Sequence, residues 1–162
     1  MLKRTILCAA LILAGASSAF AQATVFVVRH AERADSGGMT AADPDLSAAG
    51  RARAESLANV LKDAGIVVVF ATEFKRTQQT AAPVAKATGL SVTTAPTETA
   101  ALVEIVKATI GNVLVVGHSN TVPELIKALG VTTPVTVGDT EYDNLFIVRT
   151  GDKPSVIRLH YR

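Results

Sequence analysis

Three short runs, residues 24–28, 66–70 and 112–116, are apolar almost throughout instead of alternating with polar residues. Strands of that kind are buried on both faces, as in a parallel sheet with helices packed above and below. The segments between them suit the helices such a sheet needs. Ser47 can cap a helix running to about residue 64, with Leu57, Val60 and Leu61 on one face and Gly65 as its stop. A second helix spans about 76–88 and ends at Gly89, and Pro83 within it predicts a kink or a break. A short strand at 91–93 precedes a helix that begins at Thr97 or Thr99 and stops at Gly111. A short helix at 122–129 follows the third apolar strand. Residues 145–149 and 156–160 read as two closing strands, with Gly151-Asp152 as the hairpin signal. Alternating strands and helices predict one domain: an α/β fold, a three-layer α/β/α sandwich around a mostly parallel central sheet.

The domain is expected to begin after residue 21. Lys3 and Arg4 precede an apolar run at 7–14, shorter than the ~20 residues of a membrane span. Ala19-Phe20-Ala21 then has the small-x-small form of a signal-peptidase site. Residues 1–21 are read as a signal peptide and 22–162 as the single mature domain, periplasmic or secreted, with no stable membrane insertion once the signal is removed. Cys8 is the one cysteine, so the mature chain has neither disulfide nor thiol chemistry. Losing Lys3 and Arg4 takes Lys+Arg from 16 to 14 against 14 Asp+Glu, a formal charge of zero. That balance gives no reason to expect a nucleic-acid partner or an anionic membrane surface.

In open sheets, ligands collect outside the carboxyl ends of the strands. The first strand ends in Arg29-His30, the second runs into "ATEFKRT", and the third into "GHSN". Two of three histidines and several arginines therefore meet on one edge. Guanidinium groups and N–H donors stabilise the negative charge that a phosphoryl group spreads over its oxygens during transfer. Arg29, Arg33 and Arg76 can grip oxygens in fork geometry. A neutral imidazole can attack phosphorus, and neighbouring guanidiniums disfavour imidazolium, which keeps His30 nucleophilic. His118 is a further donor to the phosphoryl oxygens. Two histidines among cations make a poor zinc site, so neither metal nor organic cofactor is expected.

The segments "RHAER", "TEFKRTQQTA", "VVGHSNT" and "LSAAGRARAE" resemble the signature segments of the histidine phosphatase, or phosphoglycerate-mutase-like, superfamily. Arg29-His30-Ala31 matches its Arg-His-Gly/Ala motif. Thr72, Phe74, Arg76, Thr77, Thr80 and Ala81 match its second motif, and Gly117-His118 its third. The resemblance covers residues 24 to about 130. It implies that His30 is the phosphorylated nucleophile and that Arg29, Arg76 and His118 complete the phosphate pocket. Arg33 matches an arginine of the acid-phosphatase branch, although that branch has Pro where this chain has Asp35, and a proton-donating Asp where it has Ser119. In the mutase-like branch the acid comes from the segment between the second arginine and the second histidine. Glu98, at a loop-to-helix junction there, is the expected acid, ahead of Glu73 and then Asp35, while Glu104 lies too far into a helix. The implied activity is metal-independent hydrolysis of a phosphomonoester, with a small phosphorylated molecule or a phosphorylated envelope component as substrate. The alternatives are a phosphohistidine phosphatase acting on protein and a non-catalytic phosphate-binding module. The short chain lacks the acid-phosphatase cap, which predicts an open site.

Other polar residues read more plainly. His160 lies in a closing strand away from these signals and reads as structural. Arg51 and Arg53 read as a solvated helix face. Arg33 is open between a phosphate contact and a surface ion pair. Glu32 reads as solvent-exposed or as a charge near the site. Asn120 and Thr121 read as caps of the short helix, with Asn120 able to brace His118, and Pro123 suits its first turn. Tyr142 or Asn144 could approach the pocket, although a turn into a strand explains their segment equally well.

Overall fold

A computed structural model describes residues 23–34 and 43–162. The segment read as a signal peptide, its cleavage site and Asp35 lie outside the described residues. Ten elements follow in order: β1 (Thr24–Arg29), α1 (Ala48–Leu61), β2 (Ile66–Ala71), α2 (Lys75–Thr88), β3 (Val92–Thr94), α3 (Thr99–Ala108), β4 (Asn112–Gly117), α4 (Thr121–Ala128), β5 (Asn144–Arg149) and β6 (Ser155–His160). They form one six-stranded sheet in the order β3-β2-β4-β1-β5-β6. β3, β2, β4 and β1 are parallel, and β5 and β6 close the sheet antiparallel.

Strand alternation divides the core into two layers. Val25 and Val27 of β1, with Val113 and Val115 of β4, meet Leu102, Val103 and Val106 of α3 and Val122, Leu125 and Ile126 of α4. Phe26 and Val28, with Leu114 and Val116, meet Leu57 and Leu61 of α1 and Ala81, Val84 and Ala85 of α2. Each fully buried Val or Leu contributes roughly 1.5–3 kcal/mol, so the central strands are fixed from both faces. No helix of the described residues is long and apolar enough to cross a membrane.

Three local expectations are corrected. α2 runs unbroken through Pro83, because Thr80, Ala81, Val84 and Ala85 bury one stripe on both sides of it and hold the helix across the lost backbone bond. Val60 is 51% exposed, since the buried stripe of α1 is Gly50, Ala54, Leu57, Ala58 and Leu61, and Val60 falls off its edge. α1 ends at Leu61, three residues before the expected helix end at about residue 64.

Candidate active site

β1 and β4 are neighbours in register, Arg29 opposite Gly117, so the residues that follow them emerge side by side. The His30 amide donates to the Gly117 carbonyl at 2.9 Å and carries the pairing one step further. This brings the His30 and His118 rings to 5.4 Å between centroids at 63°. Thr80 of α2 fixes the strand tip: its Oγ1 accepts from the Ala31 amide at 2.9 Å and donates to the Arg76 carbonyl at 2.7 Å. The spacing from Arg76 to Thr80 is thus one helical turn that locks α2 against the residue after His30.

His30 is 4% exposed. Its Nδ1 lies 2.8 Å from the Ala31 carbonyl oxygen, which can only accept, so Nδ1 carries the hydrogen and Nε2 keeps its lone pair. Burial, then the charges of Arg29, His118 and Arg76, lower the His30 pKa from 6.5 to about 4, against an upward push from the Ala31 hydrogen bond.

His118 is held from two sides. Arg76 Nη2 can only donate and stands 3.5 Å from Nδ1, which leaves the hydrogen on Nε2. Nε2 lies 3.0 Å from Thr72 Oγ1. Thr77 Oγ1 donates to the Phe74 or Thr72 carbonyl, so the Thr72 hydroxyl donates to Thr77 and accepts from His118. The backbone amide of His118 donates to Thr121 Oγ1 at 2.9 Å, and Phe74 packs edge-on to the ring at 5.3 Å. Burial and the nearby Arg76 lower the His118 pKa, while Glu73 opposes the shift.

Arg76 stacks over Phe74 at 4.3 Å and meets Asp43 at 3.5 Å. The Asp43 carboxylate also accepts from the Lys75 amide at the start of α2. Burial lowers the pKa of Arg76 and Asp43 opposes that shift; Arg33, exposed beyond the bridge it forms with Leu46, acts on it as a neighbouring positive charge. Arg29 is 7% exposed; its Nη1 donates to the carbonyls of Gly138 and Asp139, and its guanidinium lies 4.3 Å from the Tyr142 ring. The Nε atoms of Arg29 and Arg76 are buried without partners among the described residues.

Arg29, His30, Arg76 and His118 therefore converge, with Arg33 in electrostatic reach. Glu98 is exposed at the N-terminus of α3, makes no side-chain cap, and is not among the charges acting on His30, His118 or Arg76. Glu73, also exposed, does act on His118 and Arg76. Asp43 was not singled out from sequence, and its place before "PDLS" gave no signal of contact with Arg76. Tyr142 approaches the site, 6.1 Å from His30, whereas Asn144 is buried and bonds Arg158. Asn120 makes no side-chain cap; Thr121 does the bracing of His118. Arg53 is not a free solvated residue, since it forks onto Glu32 at 2.6–2.9 Å, and His160 pairs with Asp143. Among the described residues no group of three or more His, Cys, Asp or Glu gathers as metal ligands.

Residues 25–97 match the family model for the histidine phosphatase superfamily (branch 1). No curated protein sequence matches the chain. Among solved structures, it is similar to the protein histidine phosphatase SixA complexed with tungstate, at 22% identity over 85% of this chain and 96% of that one, with a TM-score of 0.67. It is similar to SixA from Agrobacterium tumefaciens at 20% identity, over 85% and 97% of the two chains, with a TM-score of 0.64. It is also similar to a mycobacterial glucosyl-3-phosphoglycerate phosphatase in complex with inorganic phosphate, at 16% identity over 83% and 95%, with a TM-score of 0.63. At these identities the structural likeness establishes the fold.

Proposed function

The chain belongs to the histidine phosphatase superfamily, and from that premise we propose that it hydrolyses phosphomonoesters through a phosphohistidine on His30. The observation that carries this reading is the His30 ring itself. It is buried among cations, with Nδ1 committed to the Ala31 carbonyl and the Nε2 lone pair without a partner among the described residues. Nε2 attacks phosphorus in line, the P–O ester bond breaks, and the leaving oxygen takes a proton. Water then attacks the phosphorus, the P–N bond breaks, and inorganic phosphate leaves. Arg29, Arg76 and His118 hold the equatorial oxygens, and Arg33 adds charge at the rim. A bound phosphate dianion raises the His118 pKa and draws a proton onto Nδ1, which turns that atom into a donor. None of these steps calls for a metal or an organic cofactor.

Glu73, which acts electrostatically on both His118 and Arg76, is our first candidate for leaving-group protonation, with Glu98 at the start of α3 as the second. A second reading, hydrolysis of phosphohistidine on protein, has one observation in its favour. Neither histidine of the site has a carboxylate among its hydrogen-bond partners within the described residues, and an imidazole leaving group needs little acid help. The SixA structures bear that activity in their names. Export to the periplasm or beyond rests on the N-terminal sequence and would favour a small phosphorylated molecule or an envelope component over a phosphorelay protein.

The test is turnover of an aryl phosphate, an alkyl phosphate and a phosphohistidine peptide, with and without chelator. Phosphomonoesterase action predicts chelator-resistant hydrolysis of both esters, with Glu73→Gln, or Glu98→Gln if that residue is the acid, slowing the alkyl ester more than the aryl one. Turnover of the peptide alone would select the second reading. No turnover of any of the three by folded protein would point to a binding module.

A further inference from the structure

Among the described residues Arg29 is held by backbone and not by an acid. Its Nη1 donates to the carbonyls of Gly138 at 2.8 Å, Asp139 at 2.9 Å and Glu141 at 3.4 Å. Tyr142, the next residue, supplies the ring against its guanidinium. All four residues belong to one turn leading into β5. Carbonyl dipoles aimed at one point repel each other, so something must hold such a turn closed.

The Glu141 carboxylate does this. Its Oε2 accepts from the Gly138 amide at 2.9 Å, from Asn144 Nδ2 at 3.2 Å and from Arg158 Nη2 at 3.0 Å. The Glu141 amide donates back to the Gly138 carbonyl at 3.1 Å. Arg158 stands on β6, the edge strand, and its Nε donates to Asn144 Oδ1 at 2.7 Å. These donors, the Gly138 amide foremost, hold the Glu141 carboxyl below its usual pKa, so the three bonds persist as charge-assisted contacts. One carboxylate thus connects the closing hairpin to the arginine beside His30.

We propose that Glu141 is the positioning residue of the Arg29 anion clamp, anchored by Arg158 of β6. Glu141 closes the 138–142 turn, and the turn's carbonyls aim Arg29 so that its Nη2, which has no hydrogen bond among the described residues, meets a phosphoryl oxygen. This gives the antiparallel strands a task in the site. It rests on the reading of Arg29 as a phosphate ligand.

The experiment is tungstate binding by calorimetry, with KM and kcat for an aryl phosphate, on wild-type protein and on Arg29→Ala, Glu141→Ala, Glu141→Gln, Arg158→Ala and the double variants with Arg29→Ala. Glu141→Ala is expected to weaken tungstate about tenfold and to raise KM with little change in kcat. Glu141→Gln recovers most of the loss, because its amide oxygen still accepts from Gly138. On an Arg29→Ala background the Glu141 change costs nothing further, since the clamp it serves is gone. A Glu141→Ala affinity within twofold of wild type, or a loss that adds in full to that of Arg29→Ala, overturns the proposal. Should Glu141→Ala not fold, Arg158→Ala on the exposed edge decides the matter by the same cycle, and wild-type affinity there overturns it. Wild-type protein that neither binds tungstate nor turns over would instead sink the phosphatase reading.

Discussion

The protonation state of His30 gives a measurable consequence of its position. Burial is the largest influence on its pKa, followed among the lowering effects by the charges of Arg29, His118 and Arg76, and together they bring it from 6.5 to about 4. At pH 5.5 an ordinary histidine is about 9% neutral, whereas one with a pKa of about 4 is about 97% neutral. Roughly tenfold more nucleophile is therefore present at that pH than an exposed imidazole would supply. The assay is a pH titration of ring-carbon chemical shifts in histidine-labelled protein from pH 3.5 to 8, with His30→Asn to assign the signal. His30 is expected to stay neutral down to about pH 4.5, with its hydrogen on Nδ1. Titration between pH 6 and 7 in folded protein would refute the account of burial and cationic neighbours.

The same shift acts on stability. The folded pKa lies below the unfolded one, so above about pH 6.5 both states are neutral and nothing is lost. As pH falls from about 6.5 to about 4, the unfolded chain takes up a proton that the folded one refuses. Stability declines across that window, and His30→Asn should decline less steeply over the same interval.

Two further outcomes are expected. Thr72→Val removes the acceptor for His118 Nε2–H and leaves that donor unpaired, at about 1–3 kcal/mol; kcat should fall about tenfold with Thr72→Ser restoring it, and an unchanged kcat would contradict the assigned tautomer. Gly50→Ala places a Cβ against the Glu32 backbone carbonyl, so urea denaturation should show a loss of about 1–3 kcal/mol, and an unchanged midpoint would contradict the packing of α1 on that segment.

The architecture was legible because it rests on local signals. The continuous apolar runs of β1, β2 and β4 already implied a parallel sheet with two covered faces, and the strand ends then located Arg29, His30, Arg76 and His118. What escaped was set by contacts between distant residues. Glu32 and Arg53 are 21 positions apart, and nothing in either segment says that they pair. Asp43 reaches Arg76 across 33 positions, and the 138–142 turn reaches Arg29 across more than 100. Glu98 was favoured for its place at a junction after a strand; the structure leaves it exposed at the N-terminus of α3 without a side-chain cap, and Glu73 is exposed as well. Pro83 does not break α2, because the packing of residues on both sides of it outweighs the lost backbone bond.

The central claim is that His30 carries the phosphoryl group between two half-reactions. Rapid quench of the protein into alkaline detergent during turnover of a radiolabelled aryl phosphate, followed by peptide mapping above neutral pH, tests it most directly. A base-stable, acid-labile label on the peptide containing His30, absent from His30→Asn and insensitive to chelator, is the predicted result. Steady hydrolysis with no trapped label, or full turnover by His30→Asn, would contradict it.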